Sequence, residues 1–576
     1  MLMIKDLTEG NPGKVLWQFT LPMFVSVIFQ QLYNIADSVI VGNYAGQGEE
    51  ALAAVGASYP ITMIFMAIAM GCNVGCAVVI SQLFGAKRYR EMKTAVSTTL
   101  LASFFLSVVM TILGVLLSGS MLKMIRTPEN IFGDADVYLK IYIGGFIFLF
   151  LYNVVTGIFT SLGDSRTPLY FLIGSSLSNI ALDWAFVAVF HWDVAGVAWA
   201  TFICQGIACI LALVTLKKRL KEVACEEKPE LFSSSMLKKI AIFAIPSVLQ
   251  QSFVSVGNIF IQSLVNGFGS SVIAGYSAAI KINTFGITCF GTLGNAMSSF
   301  TAQNIGAGSN DRVKKGLRSG LGMGILIGIP FFLLCFFQGS ALVRLFMKEE
   351  TTVALNTGVQ FLKIVSPFYF VVSLKLVTDG LLRGSGAMTW FMVSTFSDLI
   401  LRVVLGYILA VPFGTTGIWM SWPVGWTIGT IMSLVFYAKG VWKVKKRKQI
   451  PSMDEWIKEA KAHESTPKIG MYLTHNGVVR QTAKAKVRFG QEDTRPVTGM
   501  IFSYDQGKVD EAIADTYQME GIFYIRVWLN KGQLQVGDDI MYVLIGGDIR
   551  PHVVDALQYL VGRIKNECVV EQERND

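Results

Sequence analysis

This sequence predicts an all-α polytopic membrane protein of about twelve transmembrane helices in two six-helix lobes, with a small cytosolic α+β domain attached. Three observations predict it. Of 576 residues, 52% are hydrophobic and only 15% charged, against about 25% charged in soluble domains, and the mean hydropathy is +0.51. The charge is uneven: residues 1–450 hold 34 Lys and Arg with 21 Asp and Glu, whereas 451–576 hold 15 with 19. A lipid-soluble body is thus joined near Ile450 to a water-soluble tail. Thirdly, landmarks in the first half of the body recur in the second. An ordinary cytosolic enzyme is excluded as a description of the whole chain.

A helix crosses a bilayer with about 20 apolar residues. Apolar runs place spans near 15–41, 51–80, 95–119, 138–161, 168–190 and 194–216, then near 240–266, 271–301, 319–340, 356–382, 388–411 and 414–438. The basic stretch Lys217, Lys218, Arg219, Lys221, Lys238 and Lys239 separates the two sets. The expected division is a first lobe 1–220, a linker 221–240, a second lobe 241–440, a basic linker 441–450 and the tail 451–576. Lys5 and Lys14 precede an apolar stretch too long for a cleavable export signal. With the amino terminus inside, inner loops carry Lys87, Arg88, Arg90, Lys93, Arg166, the central linker, Arg312, Lys314, Lys315, Arg318 and the run from Lys439 to Lys448. Outer loops carry only Lys123, Arg126, Arg344 and Lys348. That asymmetry predicts both termini in the cytoplasm of a bacterial-type inner (plasma) membrane.

The halves match. Leu21-Pro22 recurs as Ile245-Pro246, Gln82-x-x-Gly85-Ala86 as Gln303-x-x-Gly306-Ala307, and the stretch Gly157 to Gly163 as Gly380 to Gly386, at offsets of 221 to 224. Six spans is an even number, so the copies share one membrane orientation and pack about an axis along the membrane normal, with a cleft between them.

Ionisable groups within spans are costly, about 2.5–3.5 kcal/mol at the helix centre. Asp37, Asp183, Lys281, Lys375, Asp379, Asp398 and Arg402 occupy such positions. Asp183 lies 15 residues past Pro168, about 22 Å along a helix, and Thr201 lies about 10 Å below the outer edge by the same rise. With Asp37 near the outer end of its span, these groups share the outer half of the first lobe. Asn179 and Asp183, four apart, face one way. Two carboxylates, an amide and a hydroxyl at one depth suit Na⁺ through hard oxygens, or a proton on a carboxylate in low dielectric. In the second lobe, Asp398 with Arg402 and Lys375 with Asp379 have the spacing of neutralising pairs. The four histidines, His191, His463, His475 and His552, lie outside the spans, and Cys72 and Cys76 read as packing residues. No phosphate-binding Gly-Lys-Thr loop is present, so ATP is not the expected energy source, and no cofactor beyond a coupling ion is expected.

The stretch Gln31-Leu32-Tyr33-Asn34-Ile35-Ala36-Asp37-Ser38-x-x-Val41-Gly42, then Ala51-Leu52-Ala53-Ala54-Val55-Gly56, then Gly163-Asp164-Ser165-Arg166-Thr167-Pro168 resembles the multidrug and toxic compound extrusion (MATE) transporters. The resemblance spans about residues 5–440. It implies a twelve-helix antiporter that expels amphiphilic, often cationic drugs or toxic metabolites in exchange for H⁺ or Na⁺. In the DinF-like branch, coupling residues lie in the first lobe, and Asp37, Asn179, Asp183 and Thr201 match them one by one. The other branch carries a Glu in span seven that is absent here. Gln31, Tyr33 and Asn34, with the cations Lys281 and Arg402, are candidates for the substrate cavity, and the basic second lobe argues against a purely cation-selective one.

In the tail, strand-like runs cover 469–479, 497–504, 521–529 and 539–544, and helical periodicity covers 509–517 and 553–564. Gly477-Val478-Val479-Arg480, Gly532-Gln533-Leu534-x-x-Gly537-Asp538, Arg550 and Tyr559-Leu560-x-x-Arg563-Ile564-Lys565 resemble the catalytic, large subunit of molybdopterin synthase, MoaE. That family uses two lysines seven apart; Lys565 matches the first, and Gln572 stands at the second. The resemblance therefore implies a degenerate domain, binding a pterin-like anion through Arg480, Arg550 and Lys565 or docking the synthase small subunit. The partners expected are the bilayer and a small-molecule substrate, not nucleic acid. Two other readings stay open: a membrane-anchored molybdopterin synthase subunit, and a flippase for lipid-linked sugars with the related superfamily fold.

Overall fold

The computed structural model describes residues 5–44, 48–125, 127–225, 228–346, 352–443, 451–484, 486 and 496–574, without the side chains of 34–44, 48–53 and 193. Two compact units emerge, 1–444 and 445–576.

The first unit is helical throughout. The first repeat comprises α1 (Pro12–Tyr44), α2 (Gly48–Gly85), α3 (Tyr89–Met124), α4 (Glu129–Gly144), α5 (Phe146–Ser161), α6 (Arg166–Trp184) and α7 (Asp193–Glu222). The second comprises α8 (Ser234–Asn266), α9 (Ser270–Gly306), α10 (Asn310–Phe337), the short α11 (Gly339–Arg344), α12 (Thr352–Val365), α13 (Tyr369–Ser385) and α14 (Met388–Ala438). Among the described residues nine helices are long and apolar enough to cross a membrane, and α4 with α5, bent by 46°, makes a tenth. Two further spans complete the predicted set. Helix α9 falls short in apolarity because small and polar residues fill its packed face, where Gly294 meets the Leu376 carbonyl and Gly380 meets Gly294 backbone to backbone, the close approach that small residues permit. Helix α14 has 51 residues but leaves helical geometry at Gly414 (φ 57°, ψ −138°). There it folds back: Ser394 bonds Ser433 at 2.6 Å, and a Cβ on Gly417 would lie 2.0 Å from the Leu409 carbonyl. One continuous segment in the sequence is two antiparallel spans.

The repeat reaches detail that spacing alone does not reveal. Span four breaks at Gly145 in the first copy and, at the equivalent place, at the 3₁₀ turn Ser366–Phe368 in the second. The lobes also exchange their opening turns. Leu16 and Phe19 of α1 are buried among Leu293, Met297, Phe300 and Leu381, whereas Met236 and Ile240 of α8 are buried with Ile80, Leu83, Met92 and Leu162.

The second unit is the α+β domain. It contains α15 (Met453–Lys461), β1 (Met471–Val478), β2 (Gly499–Tyr504), α16 (Gln506–Tyr517), β3 (Ile522–Leu529), β4 (Gly532–Gln535), β5 (Asp539–Gly547), α17 (Arg550–Arg563) and β6 (Val569–Arg574). Two antiparallel three-stranded sheets, ordered β1-β5-β3 and β4-β2-β6, cover one core. The sequence reading missed β4, β6 and α15. The two strands are short edge partners without strong alternation, and α15 is amphipathic only over two turns.

Candidate functional site

Of the expected first-lobe cluster, Asn179 and Asp183 meet, joined by the Thr201 backbone N–H rather than its hydroxyl. On α6 the buried residues of the second half are Ser176, Asn179 and Asp183, the face predicted by the i, i+4 spacing. With the amide oriented by its surroundings, the Asn179 Nδ2 donates to Tyr33 Oη at 3.1 Å and to Asp183 Oδ2 at 3.0 Å, and its Oδ1 accepts from the Thr201 backbone N–H at 3.2 Å. Helices α1, α6 and α7 are thus tied at one depth by one side chain. Asp183 and Asn179 are 0% and 3% exposed. Immediately after them α6 passes into a π-turn over Ala185–Val189, a local unwinding that is frequent at functional sites. Asp37 follows Tyr33 by one helical turn in α1; its side chain and that of Asn34 lie outside the described residues.

The remaining cavity candidates do not converge. Gln31 is half-buried. Lys281 is exposed on α9, its ammonium 5.9 Å from the Phe346 ring centroid. Arg402 is buried instead in an aromatic core, stacked 4.4 Å from the Trp422 ring.

The second-lobe charges form one network, differently from the expected pairs. Lys375 Nζ reaches Asp379 Oδ2 at 2.7 Å and Asp398 Oδ2 at 3.6 Å, and Ser433 donates to Asp379 Oδ1 at 2.5 Å. Lys375 with Asp379 is as expected. Asp398, however, also reaches Lys375 on α13, besides lying within electrostatic reach of Arg402 on its own helix. Glycines make the space: a Cβ at 429 would lie 2.5 Å from Lys375 Cε, and one at 425 would lie 2.7 Å from Asp398 Oδ1. One cation between two carboxylates, with Arg402 nearby, balances charges that burial would otherwise make prohibitive.

In the tail, Lys565 lines a small cavity of about 40 Å³ with Gly477, Phe502, Met541 and Glu571. Arg480 and Arg550 are exposed and do not line it; Arg480 instead bonds the Thr482 carbonyl at 3.0 Å. His475, noted in the sequence only as lying outside the spans, sits on β1 within electrostatic reach of Lys565. Burial, and then the Lys565 ammonium, hold its imidazole below the ordinary histidine value. Gln572 lies on β6 opposite Ile501.

Comparison with known proteins follows the same division. The MatE family model matches twice, over 22–185 and 246–408, so both matches begin at the paired prolines. The MoaE protein model matches 450–567. A Bacillus subtilis protein named "Probable multidrug resistance protein YpnP" is 29% identical over 443 residues, covering 77% of this chain and 98% of its own. The "FAD transporter" of Shewanella oneidensis is 24% identical over 373 residues, 64% of this chain and 79% of that one. Among solved structures, a MOP superfamily transporter from Pyrococcus furiosus superimposes with a TM-score of 0.70 at 22% identity, over 76% of this chain and 97% of that one. A MATE transporter in a bent conformation superimposes with 0.69 at 21% identity, over 80% and 100%. Matched in both copies of its internal repeat, the chain belongs to the MatE family of multidrug efflux transporters and carries a MoaE-like domain after its last span.

Proposed function

We propose that the chain is a secondary active exporter that exchanges a coupling cation, H⁺ or Na⁺, for amphiphilic or cationic drugs or toxic metabolites by alternating access, with both termini in the cytoplasm. The observation that carries this reading is the buried Tyr33–Asn179–Asp183–Thr201 junction, which joins three helices of the first lobe through a single amide. The amide favours H⁺. Its oxygen already accepts from the Thr201 N–H and its nitrogen faces Asp183, so it keeps only one lone pair for a metal cation, whereas a carboxylate can take a proton without a ligand shell. Protonation of Asp183, which accepts from the amide that also holds Tyr33, would weaken what ties α1 to α6 and let α1 move, with Asp37 as a second proton acceptor. Coupling requires that ion and cargo prefer opposite facing states.

The test is transport by purified protein in vesicles, with a pH gradient and a Na⁺ gradient imposed separately. Efflux should follow the pH gradient and be lost in Asp37→Asn and Asp183→Asn, with both variants still in the membrane. Full efflux in either variant would reject the coupling role.

The MoaE-like domain is proposed to be degenerate and to bind a pterin-like anion or the synthase small subunit at Lys565. Glu571, which lines the same small cavity as Lys565, opposes anion chemistry there, which supports degeneracy and favours docking of the small subunit over anion binding. Incubating the protein with precursor and the thiocarboxylated small subunit should give no dithiolene product; its formation would restore an active enzyme.

A further inference from the structure

The repeated Gln-x-x-Gly-Ala motif has no part in the cation cluster, yet it lies where the two lobes meet, at the end of the bundle bearing the basic loops. Gln82 ends the second helix of the first repeat, and its Nε2 donates to the Gly384 carbonyl in the last turn of α13 at 3.1 Å. Gln303 ends the second helix of the second repeat, and its Nε2 donates to the Ser161 carbonyl in the last turn of α5 at 2.8 Å. Ser161 and Gly384 are themselves 223 residues apart, so the two bonds are one bond made twice, each crossing from one lobe to the other. The carbonyls in a helix's last turn have no partner within their helix and carry the negative end of its dipole; here each is capped from the other lobe, and that of Ser161 also accepts from Ser81 Oγ of its own lobe at 3.2 Å. The glycines do the same by absence. A Cβ on Gly85 would lie 1.9 Å from the Gln303 carbonyl, and one on Gly306 would lie 2.0 Å from the Gln82 carbonyl. The N-terminal segment fastens the second bond, because the Leu7 N–H donates to Gln303 Oε1 at 2.9 Å.

We infer that Gln82 and Gln303 form a reciprocal latch that holds the lobes together at the basic-loop end, and that both bonds open when the cleft opens there. They are positioning residues of the transport cycle, touching neither ion nor cargo. The inference rests on the alternating-access reading, but it concerns the balance between facing states and not the coupling ion.

The test is hydrogen–deuterium exchange on the full chain in lipid nanodiscs, without cargo or an imposed gradient. Gln82→Met and Gln303→Met keep the side-chain length and remove the donor. Each should speed exchange about fivefold at the ends of all four helices, α2, α5, α9 and α13, as expected when one buried hydrogen bond is lost from a two-state contact. The double variant should exceed either single one. Gly306→Ala, which forces the same contact apart by sterics, should reproduce the pattern should Gln303→Met fold poorly. Exchange unchanged from the parent in Gln82→Met and Gly306→Ala, or raised only beside the altered residue, would overturn the latch. Failure of the Asp183→Asn transport test with these exchange shifts intact would overturn the coupling reading alone.

Discussion

Replacing Lys375 by methionine removes the cation from between two carboxylates while keeping the aliphatic stem that packs against Gly429. The ammonium lies 2.7 Å from one carboxylate oxygen and 3.6 Å from the other, and the residue is 2% exposed. At an effective dielectric of about 20, those separations correspond to about 6 and about 5 kcal/mol of attraction. The desolvation that the ammonium no longer suffers offsets much of this, and breaking a buried pair from one side costs about 3–5 kcal/mol net. Lys375→Met should therefore melt well below the parent in detergent. Lys375→Met with Asp379→Asn should recover part of the loss, since the remaining acid, Asp398, has Arg402 one helical turn away for a partner. Purified full-length protein followed by intrinsic fluorescence would measure both. A single variant melting with the parent, or a double variant melting below the single, would refute the charge-balance argument.

Asn179→Leu should remove the bonds to Tyr33, Asp183 and the Thr201 N–H together, abolish efflux, and cost about 1–3 kcal/mol through the groups left without it; vesicle transport and melting measure the two effects. Gly414→Ala places a side chain at φ 57°, ψ −138° in the reversal of α14 and should destabilise by about 1–3 kcal/mol, read as a lower melting midpoint. Because the folded His475 imidazole is held below its ordinary value, the fold binds that proton less readily than the unfolded chain does. Its contribution to stability is complete above the unfolded value, near pH 6.5, and is lost as pH falls toward the folded one. Amide exchange along β1 and β5, corrected for intrinsic rates, should rise below pH 6.5 in the parent and rise less in His475→Gln.

Much of this architecture is readable in the residues because the membrane makes few demands and enforces them strictly. Apolar runs and basic loops located the spans, and the paired prolines and Gln-x-x-Gly-Ala motifs revealed the repeat. The i, i+4 spacing of Asn179 and Asp183 placed both on one buried face, beside the Thr201 backbone. What spacing could not supply was which side chain lies at the hub. Asn179 orders the cluster because an amide both donates and accepts, and Tyr33, grouped with the cavity, is one of its partners. Asp398 was read only in part for a similar reason. Spacing sees neighbours along a helix, whereas the Gly414 reversal and the notches at Gly425 and Gly429 also bring that carboxylate to Lys375 on another helix. The tail's strands and helices followed their periodicity. The pairing of His475 with Lys565 had no sequence signal, since 90 residues separate them and only the packing of β1 against α17 and the π-turn Ile564–Cys568 after it brings them together.

The exchange of opening turns bears on how such a chain matures. Leu16 and Phe19 leave the ribosome early, yet the surface that shelters them, around Leu293 and Leu381, is synthesised hundreds of residues later. Met236 and Ile240 return the favour to the first half. Each half thus buries part of its opening helix in the other, the exchange of an element that domain-swapped dimers make between two chains. The protein's halves, translated as separate chains in one cell, are each other's missing part.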